Sequence, residues 1–503
     1  MGDKECLQSN LMERGRMLIP QIYPVTCHTD HVGQGSTFVA IKGFKNDGTT
    51  YISTALSKGA TTIVVDRNDI TDTLQNECAR YEATLVTVED TRKELALRSA
   101  QALGNPASKL KIIGITGTKG KTTTTYIIEY ILRSAGFKTA LMGTIKNKIL
   151  DNEVTSEHTT PSSDYLHMFF QACVNAGVDY VVMEVSSHAL SLDRVHGVMF
   201  AAVGFTNLAP EHMDFYATLE DYFAAKTKLF NHLAPGGAII INGDDEWGQK
   251  ACRQLANAGA GNVITFNIQQ YKVIPTGSQQ YVVDVLQNSL EGLRLVMRHP
   301  HEDMLHGIAL HCSKVFGLFN AYNISMAFLL CTSLGIPDRV TKEALSFFQG
   351  VPGRLQLHTL KNGCRAFVDY AHNPSSFEAV LKTLRPMSKH LIVVFGCGGD
   401  RDTTKRPVMG QLAALYADNI IITDDNPRSE PHEIIAQEII AGIPESQRLG
   451  VICQLDRHKA IKNAVHLADK NSVIAILGKG HEQYYIAHGQ TLYFDDMEEI
   501  RQY

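Results

Sequence analysis

The run Gly114-Ile-Thr-Gly-Thr-Lys-Gly-Lys-Thr-Thr123 contains the residue types that handle phosphate. Small residues let successive backbone N–H groups curl around phosphate oxygens, and the start of a following helix adds its positive end. Within the run, Lys121 is placed to reach β- and γ-phosphates, and the Thr122 hydroxyl to ligate Mg²⁺. Gly117, Thr118, Lys119, Gly120 and Thr123 complete the loop. Ile115 stands where GxxxxGK[ST] has its first glycine, and the alternative is a plain glycine turn or a dinucleotide fingerprint. Gly-Lys-Thr directly at a helix start favours a nucleoside triphosphate. Glu184 follows the apolar run Tyr180–Met183, at the strand end where α/β sheets take ligands. A carboxylate there suits Mg²⁺, which prefers hard oxygen donors. His212 and Asp214 sit in a loop after the run 201–205; either is a candidate ligand, although a lone histidine is more often packed or solvated. Lys226 lies on a helix in DYFAAKTKLF, where composition alone makes it a solvent-facing lysine. His299, His301 and His306 lack the HExxH spacing of a metalloprotease and read as a surface loop.

A second constellation lies near the C-terminus. Asp425, Asn426 and Arg428 of DDNPR (424–428) follow the strand run 420–423. Arg401 leaves the run 391–395 in the same way, and Gly478 and Glu482 follow the run 473–477. Three strand ends converging on one crevice fit the rule for open α/β sheets. Guanidinium groups grip carboxylates in bidentate fashion, and acids accept an ammonium, so this pocket suits a substrate with a second amino-acid head. The alternative is that Arg428 caps a turn or pairs with Glu430.

The elements that must position these residues are legible as short β-branched runs alternating with helical patterns. They include Thr61–Val65, Lys111–Ile115, Ala238–Ile241, Leu391–Phe395 and Val473–Leu477. Buried strands alternating with helices predict an α/β protein with parallel sheets covered on both faces. Breaker clusters near residues 108 (GNPASKL) and 350 (FQGVPGR) divide the chain into domains 1–108, 109–349 and 350–503. Segment 268–312 reads as a β excursion of the middle domain with a polar tip at TGSQQ.

Composition narrows the classes. The chain has 503 residues, 44% hydrophobic and 20% charged, with 47 Lys plus Arg against 52 Asp plus Glu, a net charge of −5. That balance argues against a nucleic-acid-binding protein, which needs a basic face. No apolar run is long enough for a transmembrane helix, and the N-terminus lacks a secretory signal, so no membrane contact is expected. The ten cysteines carry no CxxC pair, the pattern of reduced core thiols in a cytoplasmic enzyme.

Taken together these motifs resemble the Mur ligase family, which builds the peptide of bacterial cell-wall precursors. The resemblance spans the chain through TGTKGKTT (116–123), MEVSSHAL (183–190), NLAPEHMD (207–214), NGDD (242–245), GLFNAYN (317–323), GVPGRLQ (350–356) and DYAHNP (369–374). FGCGGDRD (395–402), KRPVMG (405–410), DDNPR and GKGHE (478–482) narrow it to members adding the third peptide residue. The resemblance implies an N-terminal uridine-binding α/β domain, a central P-loop ATPase-type parallel-sheet domain and a Rossmann-like C-terminal domain. It also implies ATP and Mg²⁺, a UDP-MurNAc-L-Ala-D-Glu substrate whose carboxylate becomes an acyl-phosphate, and an incoming diamino acid, with the chain acting as a monomer. Lys121 would steady the transferring phosphoryl group, with Thr122, Glu184 and His212 arranging magnesium. Lys226 matches the lysine that is carbamylated in the family, which replaces the solvent-facing reading. Asn320, Arg354 and Asp369 match nucleotide-holding residues, Arg354 on the phosphates and Asp369 on the ribose. Because Arg354 and Asp369 lie past residue 350, nucleotide binding is expected to close the third domain over the second and exclude water. Thr159, Thr160, Ser186 and Arg194 match contacts to the UDP-sugar-dipeptide. In the N-terminal domain, represented by 38–52, Thr29 belongs to His28-Thr29-Asp30, which replaces a DSR-like triplet; Leu192 replaces a polar residue two places before Arg194. DNPR marks members that add meso-diaminopimelate. A lysine-adding ligase, folylpolyglutamate synthetase and a non-catalytic nucleotide-binding homologue are the alternatives.

Overall fold

A computed structural model describes residues 19–43, 46–268 and 279–503. Most of the TGSQQ tip and Cys6 therefore lie outside the described residues. The chain divides into two compact units. The first runs to Val283 and adds Arg298–Glu302 and Tyr322–Ala344. The second comprises Asp284–Met297, Asp303–Ala321 and Leu345–Tyr503.

The first unit opens with a parallel sheet of Val25–Thr26, Thr37–Val39, Thr62–Asp66 and Thr84–Val88, in that order. Its principal sheet sets Val263–Ile268, Leu233–Asn242, Phe200–Phe205, Lys111–Thr116, Tyr180–Glu184 and Thr139–Met142 side by side, all parallel. Ile112, Val181, Val203 and Ile241 join one core with Phe169, Phe170 and Phe223. This burial explains the β-branched runs, because a parallel strand with both faces covered has no polar side. Beyond Thr139–Met142, Lys146–Ile149 and Asn152–Thr155 continue the sheet antiparallel. The phosphate-type loop joins the central strand Lys111–Thr116 to the helix Lys121–Ser134.

The second unit carries a six-stranded sheet ordered Gln356–Thr359, Arg365–Asp369, Ser472–Leu477, His390–Phe395, Asn419–Ile422 and Val451–Cys453. Only the first pair is antiparallel. Successive residues alternate between two cores: Leu391, Val393 and Phe395 enter one, Ile392 and Val394 the other. That alternation is the period-2 geometry of a strand buried on both faces.

The β excursion expected in the middle domain is divided. Residues 284–297 and 303–321 cluster with the second unit, where Leu290 packs against a core containing Phe316, Leu355 and Phe367. His299, His301 and His306 are exposed, as expected of a surface loop. The nine described cysteines are all free, and Cys453 alone among them is exposed.

Candidate active site

The loop after Lys111–Thr116 is held by backbone geometry that only glycine accepts. Gly117 has φ 140°, and a Cβ there would stand 1.9 Å from Thr206 Oγ1. Gly120 has φ 89° and would drive a Cβ to 2.4 Å from Asn323 Oδ1. The next strand's exit, Thr206–Ala209, clamps the loop. Thr118 N donates to Asn207 O (2.8 Å), Lys119 N to Asn207 Oδ1 (3.0 Å) and Thr206 Oγ1 to Lys119 O (2.7 Å). The helix Lys121–Ser134 starts without a side-chain cap, so its positive end is directed at the loop.

Two ammonium groups meet on one carbonyl. Lys121 Nζ donates to Gly117 O and Thr118 O, each at 2.9 Å, and Lys226 Nζ donates to Gly117 O at 2.8 Å. Lys226 is only 1% exposed, which overturns the solvent-facing reading drawn from composition. Its helix, Leu219–Thr227, begins with a reciprocal cap between Thr218 and Asp221, and turns Tyr222, Phe223 and Lys226 inward. Tyr222 lies under the ammonium at 4.4 Å. Burial, then the positive charge of Lys121, holds the Lys226 amine well below the ordinary lysine range. His212, at φ 60°, stacks edge-on with His188 at 4.7 Å, and burial lowers the pKa of both imidazoles.

Glu184 is the last residue of its strand rather than the first after it, and is 1% exposed. Thr122 Oγ1 donates to Glu184 Oε1 at 2.9 Å, as does Thr144 N at the same distance. Gly143 allows this approach: a Cβ there would lie 2.4 Å from the carboxylate. The network continues outward. Thr144 Oγ1 meets Thr159 Oγ1 at 3.0 Å, and Thr160 Oγ1 donates to Glu184 O at 2.9 Å. Ser186 N donates to Thr160 Oγ1 at 3.0 Å, and Arg194 to Thr160 O at 2.7 Å. Six residues expected to contact metal or dipeptide (Thr122, Thr159, Thr160, Glu184, Ser186 and Arg194) thus belong to one hydrogen-bonded chain. Thr29 is not in that chain; it opens the short 3₁₀ turn Thr29–His31.

In the second unit, Asp369 ends its strand and accepts from Leu355 N at 2.7 Å. Burial raises its carboxyl to about 6, although the Arg354 charge pulls the other way. Arg354 lies 4.9 Å over the Tyr370 ring. Asn320 is buried and donates to Phe316 O at 2.7 Å.

The strand-end constellation also forms within this unit. Asn426 donates to Glu482 Oε2 at 2.9 Å. Gly478, at φ 112°, lies so close that a Cβ would reach 2.6 Å from Asp425 Oδ2. The Arg428 guanidinium donates to Gly399 O (2.8 Å) and Asn426 O (3.3 Å), fastening two strand-end loops together. It does not pair with Glu430, whose carboxylate is held by the fully buried Arg406 at 2.9 Å. Arg401 is exposed on the same glycine-rich loop.

Sequence reasoning missed Thr144, His188, Asp164, Arg406 and Arg457. Asp164 accepts from Thr26 Oγ1 (2.8 Å) and Cys27 N (3.1 Å), tying the N-terminal sheet to the helix Ser163–Asn175. Arg457 and Asp496 form a buried pair at 2.6 Å whose guanidinium also reaches Asp424 O and Leu477 O. Thr144, Asp164 and Arg457 carry no local motif, and their contacts span many residues; His188 lies inside MEVSSHAL and Arg406 inside KRPVMG.

A phosphate-type loop on a parallel sheet, backed by a buried lysine and joined to a Rossmann-like sheet, defines a class of ATP-using ligase folds. The Mur ligase middle domain matches residues 115–331, the Mur ligase glutamate ligase domain 353–480, and the Mur ligase family catalytic domain 21–102. The chain belongs to the Mur ligase family. It is 38% identical over 475 residues to the UDP-N-acetylmuramoyl-L-alanyl-D-glutamate–2,6-diaminopimelate ligase of Clostridium tetani, covering 94% of this chain and 92% of that one. With the protein of the same name from Clostridium perfringens it shares 40% over 474 residues, 93% and 92% of the two chains. A solved structure of a ligase of that name superposes with a TM-score of 0.68 at 29% identity, covering 96% of this chain and 94% of that one.

Proposed function

We propose that this chain is an ATP-dependent amide ligase that adds meso-diaminopimelate to UDP-MurNAc-L-Ala-D-Glu through an acyl-phosphate. Full-length likeness to ligases named for that reaction supports the substrates. The observation that carries the chemistry is the pair of lysines on the Gly117 carbonyl beside the Thr122–Glu184 contact.

In this reading the loop Gly117–Thr123 wraps the ATP phosphates, with Lys121 moving from loop carbonyls to the transferring γ-phosphoryl group. Asn320, Arg354 and Asp369 hold the rest of the nucleotide. Thr159, Thr160, Ser186 and Arg194 orient the dipeptide so that its carboxylate attacks phosphorus and ADP leaves. The amine of diaminopimelate then attacks the acyl carbon, and phosphate departs from a tetrahedral intermediate. Preorganised charge does most of this work, as in phosphoryl transfer generally.

Thr122 and Glu184 provide a hydroxyl and a carboxylate as adjoining hard donors, which fits Mg²⁺. Among the described residues no cluster of three His, Cys, Asp or Glu side chains could cage a metal alone, consistent with an ion completed by phosphates. Bound Mg²⁺ would neutralise developing phosphate charge. Thr122, Glu184, His212 and Lys226 as its carbamate would hold it. The lowered Lys226 pKa favours the neutral amine, the form that adds CO₂.

Arg401, Asp425, Asn426, Arg428, Gly478 and Glu482 form the amino-acid site, with guanidinium groups for carboxylate and acids for ammonium. The enzyme works as a monomer in the cytoplasm on this reading; no helix among the described residues is long and apolar enough to cross a membrane. Hydroxylamine trapping tests the chemistry. With ATP, the UDP-dipeptide and no amino acid, hydroxylamine should convert the dipeptide carboxylate to a hydroxamate. ADP formation without hydroxamate would refute an acyl-phosphate.

A further inference from the structure

Lys479, between Gly478 and Gly480, has no part in the chemistry described so far. Its side chain is fully enclosed, 0% exposed, at the exit of Ser472–Leu477. The ammonium donates to Asn426 Oδ1 at 3.2 Å and to Tyr484 O, and stands 3.7 Å from Glu482 Oε2. Asn426 Oδ1 also accepts from Ile486 N at 3.0 Å. An asparagine amide presents nearly the same shape in two flipped orientations, so its neighbours decide which end is oxygen. Two donors on one atom decide it here, and the NH₂ end is turned to Glu482 at 2.9 Å. Glu482 also accepts from the Tyr370 hydroxyl at 3.3 Å.

The same residues are stitched to the hairpin of Tyr484–Ala487 and Gln490–Tyr493. Arg428 N donates to Ile486 O at 2.9 Å, and His488 N to Arg428 O at 2.8 Å. Burial lowers the Lys479 pKa, and the charges of Asp425 and then Glu482 oppose that loss of the ammonium form. The Lys479 ammonium thus stands between the Asn426 amide and the Glu482 carboxylate.

We propose that Lys479 is a positioning residue for amino-acid selection, locking the Asn426 amide and spacing Glu482 so that one N–H and one carboxylate edge face the second amino-acid head of the substrate. This rests on reading Asp425, Asn426, Arg428 and Glu482 as the amino-acid site. It assigns specificity to a side chain that never touches the substrate.

The test uses the full-length enzyme and its Lys479→Met and Lys479→Gln variants. Phosphate release is followed as meso-diaminopimelate and ATP are varied in turn. The KM for meso-diaminopimelate should rise about tenfold or more in Lys479→Met, with the KM for ATP and kcat changed by less than about threefold. Burial and the charge of Asp425 raise the Glu482 pKa and Lys479 offsets part of that rise, so the acid limb of the diaminopimelate kcat/KM profile should move to higher pH in the variant. In a double-mutant cycle with Asn426→Ala, the two losses should be strongly non-additive. Equal losses in all three kinetic constants, additive effects with Asn426→Ala, or loss of cooperative unfolding in both variants would overturn the proposal. If the wild-type enzyme releases no phosphate with meso-diaminopimelate, the reading of the site fails instead. The wild-type control separates the two failures.

Discussion

Replacing Asp369 with asparagine should make the protein more stable at pH 8 and worse at using ATP. Burial lifts the Asp369 carboxyl from 3.8 to about 6. A gap of about two pKa units corresponds to ~3 kcal/mol at 1.36 kcal/mol per unit. The sign follows from linkage: the folded protein binds this proton more tightly than the unfolded chain. Asp369 therefore favours folding below pH 3.8, and that contribution is lost as pH rises towards and past 6. Above the window the wild-type protein keeps a buried carboxylate that asparagine would not. The amide can still accept from Leu355 N, but its NH₂ faces the second backbone donor, Ala371 N, at a cost of about 1 kcal/mol. The net expectation at pH 8 is a gain of about 2 kcal/mol, or ~4–8 °C in the unfolding temperature of a domain of this size. The advantage should shrink towards zero near pH 4. Scanning calorimetry of full-length wild type and Asp369→Asn across pH 4–8 measures it, and the KM for ATP reports the functional loss, about tenfold or more. A variant equally destabilised at every pH, or one with unchanged ATP use, would refute the reasoning.

Lys226→Ala should lose most activity, with formate or acetate restoring part of it in the phosphate-release assay; full activity in the plain variant would remove Lys226 from the mechanism. Lys121→Met should lower kcat by about a hundredfold or more while the fold, followed by circular dichroism, is retained. Arg428→Ala should weaken diaminopimelate use far more than ATP use, and equal losses in the two KM values would contradict the assignment. Asp496→Asn should destabilise the second unit by about 3–5 kcal/mol in denaturant unfolding, because Arg457 is left buried without its partner.

Several central strands of both principal sheets were legible because both their faces are buried: VIAIL at 473–477 has no polar alternation to confuse with a helix. The phosphate-type loop was legible because its glycines answer to backbone geometry that acts over a few residues. Lys226 was not, since its helix mixes polar and apolar residues evenly and its burial is set by Gly117, 109 positions away. Thr144 and Asp164 are ordinary polar residues until the fold delivers Glu184 to one and Thr26 to the other. The antiparallel strands after Thr139–Met142 and the Tyr484–Tyr493 hairpin escaped notice because edge strands are short and partly polar.

Glu184 connects the two halves of the first unit's chemistry. Its carboxylate faces Thr122 of the phosphate-type loop, while its backbone carbonyl anchors Thr160 and, through it, Ser186 and Arg194. If the proposed site assignments hold, a shift of this strand end would disturb the nucleotide and dipeptide positions together.

The most direct test of the account is phosphate release from ATP with UDP-MurNAc-L-Ala-D-Glu in three parallel reactions, containing meso-diaminopimelate, L-lysine or no amino acid. Sustained release is expected with meso-diaminopimelate alone. Release with L-lysine alone would contradict the reading of the Arg428 pocket, and no release with either amine would contradict the ligase itself.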